Sequence, residues 1–183
     1  AESFDLSGFD GIAHAGVAIV TCMDSRIDPL GMLGLKPGDA KIFRNPGGRV
    51  TAAALEALVL GVHLLNVRRI VIAPHTRCAM TSSTEVALRE KVGASAGVDA
   101  SWQGFHVIPD QVAALRQDLA AVRSHPLIGD RAQVAAMMEA AGSVGRRDEV
   151  VLAGGEGDLV DGGHQRPRTA TMCTGSPSTP SRT

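Results

Sequence analysis

Two short apolar runs, each followed closely by metal-binding residue types, constrain the fold of this chain more than any other feature. Val17–Thr21 and Ile70–Ala73 are rich in β-branched residues, which favours strands covered on both faces. Cys22 follows the first run, and His75 and Cys78 follow the second. Thiols and an imidazole suit a zinc ion, so the sequence predicts a metal site wherever the fold brings these strand ends together.

Strands and helices alternate along the chain, which predicts an α/β domain. Strands are predicted at Val17–Thr21, Ala40–Arg44, Arg69–Ala73 and Phe105–Ile108. Helices are predicted between Thr51 and Asn66, at Thr81–Val92 and at Asp110–Arg123. We therefore predict a mostly parallel four-stranded sheet flanked by helices, in a domain at residues 1–128 that begins with an N-terminal arm at residues 1–16.

The sequence after residue 128 has a different character. Residues 129–183 contain two Gly-Gly pairs and four Arg between positions 146 and 168, and residues 174–183 are almost wholly Ser, Thr, Pro, Gly and Arg. Such sequence buries too little apolar surface to offset the entropy lost on ordering. We predict a divergent, largely disordered tail, in which Ala132–Ala141 is a candidate helix and Cys173 is a free thiol.

The net charge and the cysteine content indicate which partners and which cellular compartment to expect. A formal net charge of −1 gives no electrostatic footprint for nucleic acid or for an anionic membrane. No apolar stretch reaches the roughly 20 residues of a membrane span. The three cysteines cannot all pair within the chain, and such a set more often indicates a metal or catalysis than disulfides. We expect a cytoplasmic protein with no nucleic-acid or membrane partner.

Only the fold can join Cys22 to His75, because the two residues are 53 positions apart. In open parallel sheets, ligands bind beyond the carboxyl ends of neighbouring strands whose connections leave to opposite faces. If the strands before Cys22 and His75 are adjacent, with Ala40–Arg44 outside the first, both side chains reach that crevice. Cys78 then comes round on the following turn, which gives a Cys2His ligand set with one position left over.

The leftover position has two interpretations, and the sequence leaves both open. A closed structural zinc has four protein ligands, whereas a catalytic zinc keeps a position for water. Asp24 is the candidate fourth ligand. Arg26, two residues on, can instead pair with that carboxylate and hold it off the metal. Asp24 would then accept a hydrogen bond from a zinc-bound hydroxide and orient it towards a substrate.

These motifs resemble those of the β-class carbonic anhydrases. That family has Cys-x-Asp-x-Arg after a first strand, as at Cys22–Arg26, and His-x-x-Cys after a third, as at His75–Cys78. The loop Arg44-Asn45-Pro46-Gly47-Gly48 is similar to the Arg-Asn-Ala-Gly loop of the family. The resemblance covers roughly residues 4–128 by pattern and order.

The resemblance implies a zinc enzyme, a carbonate dehydratase, that interconverts carbon dioxide and bicarbonate. Cys22, His75 and Cys78 would hold Zn²⁺, and Asp24 would either ligate the ion or pair with Arg26 as a catalytic device. The family also implies a homodimer or a dimer of dimers.

Two departures from the family pattern keep other functions open. Arg77 stands where a small acidic or polar residue is common, and Ala79 stands where the family usually has Gly. One alternative is a catalytically silent zinc-binding homologue with a structural or regulatory role. Another is a zinc hydrolase acting on a related small molecule such as carbon disulfide. Simpler interpretations are a buried apolar role for Cys22 and a surface ion pair for Asp24 with Arg26.

Overall fold

A computed structural model describes residues 8–139 of the 183-residue chain. The predictions for Cys173 and for the tail after residue 139 lie outside the described residues. The described part contains β1 (Val17–Cys22), β2 (Ala40–Asn45), α1 (Ala52–Leu64), β3 (Arg69–Ala73), α2 (Glu85–Ala96), α3 (Gln111–Arg123) and β4 (Gln133–Ala136). Short 3-10 turns lie at Gly31–Leu33, Pro46–Gly48 and Gly129–Arg131.

The four strands form one parallel sheet in the order β2-β1-β3-β4. Every residue of β1 is buried, as its continuous apolar sequence predicts for a central strand covered on both faces. The predicted four-stranded parallel sheet is confirmed, and so is the predicted order in which β1 lies between β2 and β3. The carboxyl ends of β1 and β3 therefore lie side by side.

The fourth strand is not the one predicted. Phe105–Ile108 was expected to be a strand, but it is an irregular segment outside the sheet. Ile108 N–H donates to the carbonyl of Met80 at 2.8 Å, and the Ile108 side chain is buried. The prediction was wrong because a short segment rich in apolar residues marks burial without specifying sheet pairing.

Gln133–Ala136 occupies the edge beside β3 instead. The sequence predicted a helix at Ala132–Ala141, because alanine and methionine favour helices in isolation. Pairing with β3 overrides that preference, since Val134 and Ala136 pack into the core. The sheet thus continues past residue 128, where the sequence placed the end of the domain.

Polar side chains at their amino ends fix where the helices begin. Thr51, Thr84 and Asp110 each accept a hydrogen bond from the backbone N–H three residues on. The predictions for α1 and α3 are confirmed within a residue or two. Helix α2 begins later than the predicted Thr81 and extends to Ala96. Within residues 8–139, no helix is both long and apolar enough to cross a membrane.

A buried ion pair ties α3 to the loop after β2. Asp118 is only 5 % exposed, and its carboxylate accepts from Arg49 Nε at 2.7 Å and from Arg49 Nη2 at 3.0 Å. The backbone N–H of Val50 donates to the same carboxylate at 3.2 Å. Since three donors satisfy Asp118, its removal would leave Arg49 without its counter-charge.

We expect Asp118→Asn to lower the free energy of unfolding by about 2 kcal/mol, because hydrogen bonds to charged groups contribute about 1.5–3 kcal/mol. The matched variant is Asp10→Asn, which changes an exposed carboxylate paired with His14 and should cost much less, because exposed ion pairs contribute little to stability. Urea unfolding of the two variants measures the difference. Equal losses would contradict a stabilising role for the Arg49–Asp118 pair.

Candidate metal centre

Three of the four predicted ligand residues meet at the carboxyl edge of the sheet. Cys22 is the last residue of β1, while His75 and Cys78 lie in the loop that leaves β3. The ligand atoms of all three lie within 4.8 Å of one another, and the two Sγ atoms are 3.9 Å apart. All three residues are buried.

The donors of this Cys22–His75–Cys78 group fit a zinc ion. Two thiolates bound to one tetrahedral zinc at about 2.3 Å lie about 3.8 Å apart, close to the observed separation of the Sγ atoms. The His75 side chain is fully buried, yet neither ring nitrogen has a hydrogen-bond partner among the described residues. An imidazole buried in this way is costly unless something binds it.

Burial also favours the protonation state in which His75 can bind a metal. Desolvation lowers the pKa of His75, so the imidazole is neutral at neutral pH. Desolvation raises the pKa of the Cys78 thiol, and the neighbouring Cys22 acts in the same direction. A divalent cation reverses this effect for Cys78, because it stabilises the thiolate directly.

Asp24, the fourth predicted ligand, is paired with Arg26. Oδ1 accepts from the Arg26 backbone N–H at 3.0 Å and from Nε at 2.9 Å, and Oδ2 accepts from Nη2 at 2.6 Å. These hydrogen bonds hold the pKa of the Asp24 carboxyl well below its usual range. The carboxylate is therefore ionised at neutral pH.

Asp24 still faces the Cys22–His75–Cys78 group. Its Oδ2 lies 3.8 Å from His75 Nε2, which is too far for a hydrogen bond. A carboxylate has about four acceptor positions, and Arg26 fills two on Oδ1 and one on Oδ2. The remaining acceptor position belongs to Oδ2, the oxygen nearest the ligand group.

The end of β2 supports Cys22 through Arg44 and shapes the loop that follows through Asn45. Arg44 Nε donates to the Cys22 carbonyl at 2.9 Å, and its Nη2 donates to the Asp24 carbonyl. The Asn45 side chain closes the loop by donating to the Arg49 carbonyl at 2.7 Å and accepting from the Arg49 N–H at 2.8 Å. The Asn45 side chain therefore stabilises the turn between residues 45 and 49.

Gly48 brings that loop into direct contact with β1. Its φ is +66°, and a Cβ there would lie 2.9 Å from the backbone nitrogen of Cys22 and 2.9 Å from the carbonyl carbon of Thr21. Backbone atoms at the end of a central strand cannot move aside as the tip of a side chain can. Only glycine fits this position.

Further main-chain contacts hold the His75 segment. The Gln111 side-chain Nε2 donates to the His75 carbonyl at 2.8 Å, and Thr76 N–H donates to the Glu139 carbonyl at 2.8 Å. Sequence reasoning missed Gln111, because an amide at the start of a helix carries no signal for a carbonyl 36 positions away.

Arg77, a departure from the family motif, adopts an unusual backbone conformation. Its φ is +56°, in the left-handed region that residues other than glycine seldom enter. Its carbonyl accepts a long hydrogen bond from Arg26 Nη2 at 3.4 Å. The loop that carries His75 and Cys78 therefore contacts the Asp24–Arg26 pair.

The sheet and this site define an α/β protein with a Cys2His metal centre at the carboxyl ends of two parallel strands. A family model described as carbonic anhydrase matches residues 17–126, more than half of the chain. The chain belongs to the β-carbonic anhydrase family, whose cofactor is zinc.

Individual relatives agree in sequence and in fold. The chain is 34 % identical over 112 residues to β-carbonic anhydrase 1 of Mycobacterium tuberculosis, covering 61 % of this chain and 68 % of that protein. The crystal structure of a carbonic anhydrase from Streptococcus mutans superposes with a TM-score of 0.67 at 36 % identity. That superposition covers 76 % of this chain and 83 % of the other.

Some relatives carry another name. A carbon disulfide hydrolase of Saccharolobus solfataricus is 36 % identical over 84 residues, covering 45 % of this chain and 41 % of that protein. The chain is thus similar, at 34 % and 36 % identity, to proteins of both names.

We expect Gly48→Ala to lower the free energy of unfolding by about 3 kcal/mol. The left-handed backbone conformation costs alanine about 1 kcal/mol, and the clash of its Cβ with the main chain of β1 adds the rest. The matched variant is Gly34→Ala, where φ is +67° but nothing lies within 4 Å of the added Cβ. It should cost only about 1 kcal/mol. Urea unfolding of the metal-free proteins checks the stability difference, and bound zinc per chain reports whether Cys22 has moved. Equal losses of stability in the two variants would show that the close contact of Gly48 with β1 does not require glycine.

Proposed function

We propose that this chain catalyses the reversible hydration of carbon dioxide to bicarbonate and a proton, with zinc held by Cys22, His75 and Cys78. The observation that carries the proposal is the Asp24–Arg26 pair beside the ligand group. A structural zinc site needs a fourth protein ligand, whereas here the nearest carboxylate is engaged by a guanidinium. That arrangement leaves one metal position for the reaction.

Zinc at such a site supplies Lewis-acid chemistry, because it lowers the pKa of water enough to form a nucleophile near neutral pH. The chain's own residues then orient that nucleophile. Asp24 is ionised, so its carboxylate can accept a hydrogen bond and cannot donate one. The one remaining acceptor position, on Oδ2, would accept the O–H of that nucleophile and so fix its orientation beside the ligand group.

Arg26 keeps Asp24 in that role. Its two side-chain hydrogen bonds and its backbone N–H fix the carboxylate plane and keep the carboxylate off the metal. Arg26 is also linked to the Arg77 carbonyl, so the orientation of the pair is tied to the ligand loop. We assign Asp24 the catalytic role of hydrogen-bond acceptor and Arg26 the role of holding it.

The surroundings of the thiols suit a small apolar substrate. Ile27 is buried in the same cluster as Cys22 and Cys78, and Met32 and Met80 pack against that cluster. A neutral linear molecule without hydrogen-bond donors loses little on leaving water for such walls. This favours carbon dioxide over polar substrates for the metal centre.

We expect Asp24→Asn to lower kcat for carbon dioxide hydration about 100-fold while zinc stays bound, because removing one preorganised hydrogen-bonding group from an active site costs about 100-fold or more. We expect Cys22→Ser to lower both activity and bound zinc. The matched control is Asp10→Asn, an exposed carboxylate outside the ligand group that should hydrate carbon dioxide like the wild type. Stopped-flow hydration and metal analysis on the same samples measure these effects. Wild-type activity in both Asp24→Asn and Cys22→Ser would refute the proposal.

A second candidate function is hydrolysis of carbon disulfide. It is favoured by the similarity to proteins of that name and by the same apolar walls, which suit a larger cumulated molecule as well. Release of hydrogen sulfide from carbon disulfide, without hydration of carbon dioxide, would select this function. Full zinc occupancy with neither activity would identify a silent homologue with a structural or regulatory role.

We also infer that the chain assembles with copies of itself, as the family resemblance predicts. Helix α2 has no buried residue within the described part of the chain. Val86 and Val98 line one groove beside α2 and are 61 % and 66 % exposed, and Trp102 is 77 % exposed. Large apolar side chains exposed along α2 and just after it are candidates for an interface between two copies of the chain.

Analytical ultracentrifugation tests the assembly. We expect a dimer or larger species for the wild type and a shift towards monomer for Val98→Asp, because a charge in an apolar interface is costly. The control is Leu127→Asp, an exposed apolar residue that does not line the α2 groove and should leave assembly unchanged. Sedimentation of the wild type as a monomer at all concentrations would overturn the inference.

A further inference from the structure

The His75 imidazole is positioned almost entirely through its main chain. In most metal sites, the ring nitrogen that does not bind the metal donates to a carboxylate, a carbonyl or water, and this fixes the ring. Here neither ring nitrogen has a hydrogen-bond partner among the described residues. Among the described residues, the backbone at residue 75 and the packing around the ring are what set the direction of the imidazole.

That backbone is held from two sides. On one side β4 runs on into Glu139, whose N–H donates to the Pro74 carbonyl at 2.8 Å and whose carbonyl accepts from Thr76 N–H at 2.8 Å. On the other side the Gln111 side chain donates to the His75 carbonyl at 2.8 Å. The first set is ordinary strand-like pairing and does not depend on side-chain identity. The second depends on one side-chain amide.

The position of Gln111 is fixed by the helix that carries it. It is the first residue of α3, directly after the Asp110 cap, whose carboxylate accepts from Ala113 N–H at 2.9 Å. Helix α3 is anchored to the core by Leu115 and by the Asp118–Arg49 pair. The amide of Gln111 therefore extends from a fixed element to the carbonyl of the predicted ligand.

We propose that Gln111 is a positioning residue for the metal centre, which sets the orientation of the His75 ring by holding its carbonyl. This inference rests on the proposed function only in taking His75 as a zinc ligand. The Gln111 amide and the Glu139 carbonyl hold the two ends of the peptide between residues 75 and 76. Loss of the Gln111 hydrogen bond leaves that peptide held at its N–H alone, and a small rotation about this one contact would tilt the imidazole relative to the two thiolates. Outer contacts of this kind change metal affinity by about 10–100-fold.

The experiment compares Gln111→Met with Gln103→Met in the full-length chain. Methionine nearly matches glutamine in length and has no donor. Gln103 is a matched control, because its Nε2 also donates to a backbone carbonyl, that of Gly104 at 2.9 Å, far along the chain from the ligand residues. The probes are Co²⁺, whose visible bands report coordination geometry, and zinc affinity by chelator competition.

We expect Gln111→Met to shift the Co²⁺ bands and to weaken zinc binding about tenfold or more. We expect Gln103→Met to match the wild type in both measurements. Unfolding free energies of the metal-free variants distinguish a change at the metal centre from a general loss of stability, since the latter would not shift the Co²⁺ bands. A Gln111→Met protein with wild-type bands and wild-type affinity overturns the proposal.

A second variant keeps the test decisive if Gln111→Met does not fold. Gln111→Asn keeps the amide but shortens the side chain by one methylene, so the donor cannot reach the His75 carbonyl. It should show a band shift of the same kind, and wild-type bands would overturn the proposal. If the wild type itself binds neither Co²⁺ nor zinc, the assignment of the metal centre fails, which is a different result from a failure of Gln111.

Discussion

Parallel pairing of β1 with β3 is the interaction on which the rest of the structure depends. The register places Thr21 opposite Ala73, so both strands end at the same level of the sheet. Thr21 is fully buried, and its hydroxyl donates to the Ala73 carbonyl at 2.6 Å, which adds a side-chain bond across that last pair. Cys22 and the His75 segment are therefore neighbours because of strand register. A slip of one residue would turn the Cys22 side chain to the opposite face of the sheet.

The ligand residues and the Asp24–Arg26 pair have opposite physical requirements. Thiols and an imidazole must be buried and closely spaced for zinc to bind, and burial makes their charged forms costly without a metal. The carboxylate of Asp24 must stay ionised, which requires partial exposure and a strong partner. The fold meets both requirements by placing Cys22 inside the sheet edge and Asp24 two residues later, where the chain has already left the sheet.

The sequence predicts the central part of this arrangement and misses its supports for physical reasons. Cys22, His75 and Cys78 can be found because ligand chemistry is restricted to few residue types, and β-branched runs locate the strand ends. The strand at Gln133–Ala136 could not be predicted, since pairing with β3 decides its conformation against local preference. The Arg49–Asp118 pair joins residues 69 positions apart, so nothing in the local sequence of either indicates the contact.

The supports act mainly on main-chain atoms, which explains how the motif tolerates Arg77 and Ala79. Arg44 binds the Cys22 carbonyl, Gln111 binds the His75 carbonyl, and Thr81 donates to the Cys78 carbonyl through both its N–H and its hydroxyl. With the carbonyls of all three predicted ligand residues held, side chains on the exposed side of the loop can change without moving the ligand atoms. The left-handed backbone at Arg77 still costs about 1–2 kcal/mol, and contacts elsewhere in the loop must offset this. The departures from the family motif therefore lie on the solvent side of a loop whose geometry is fixed from within.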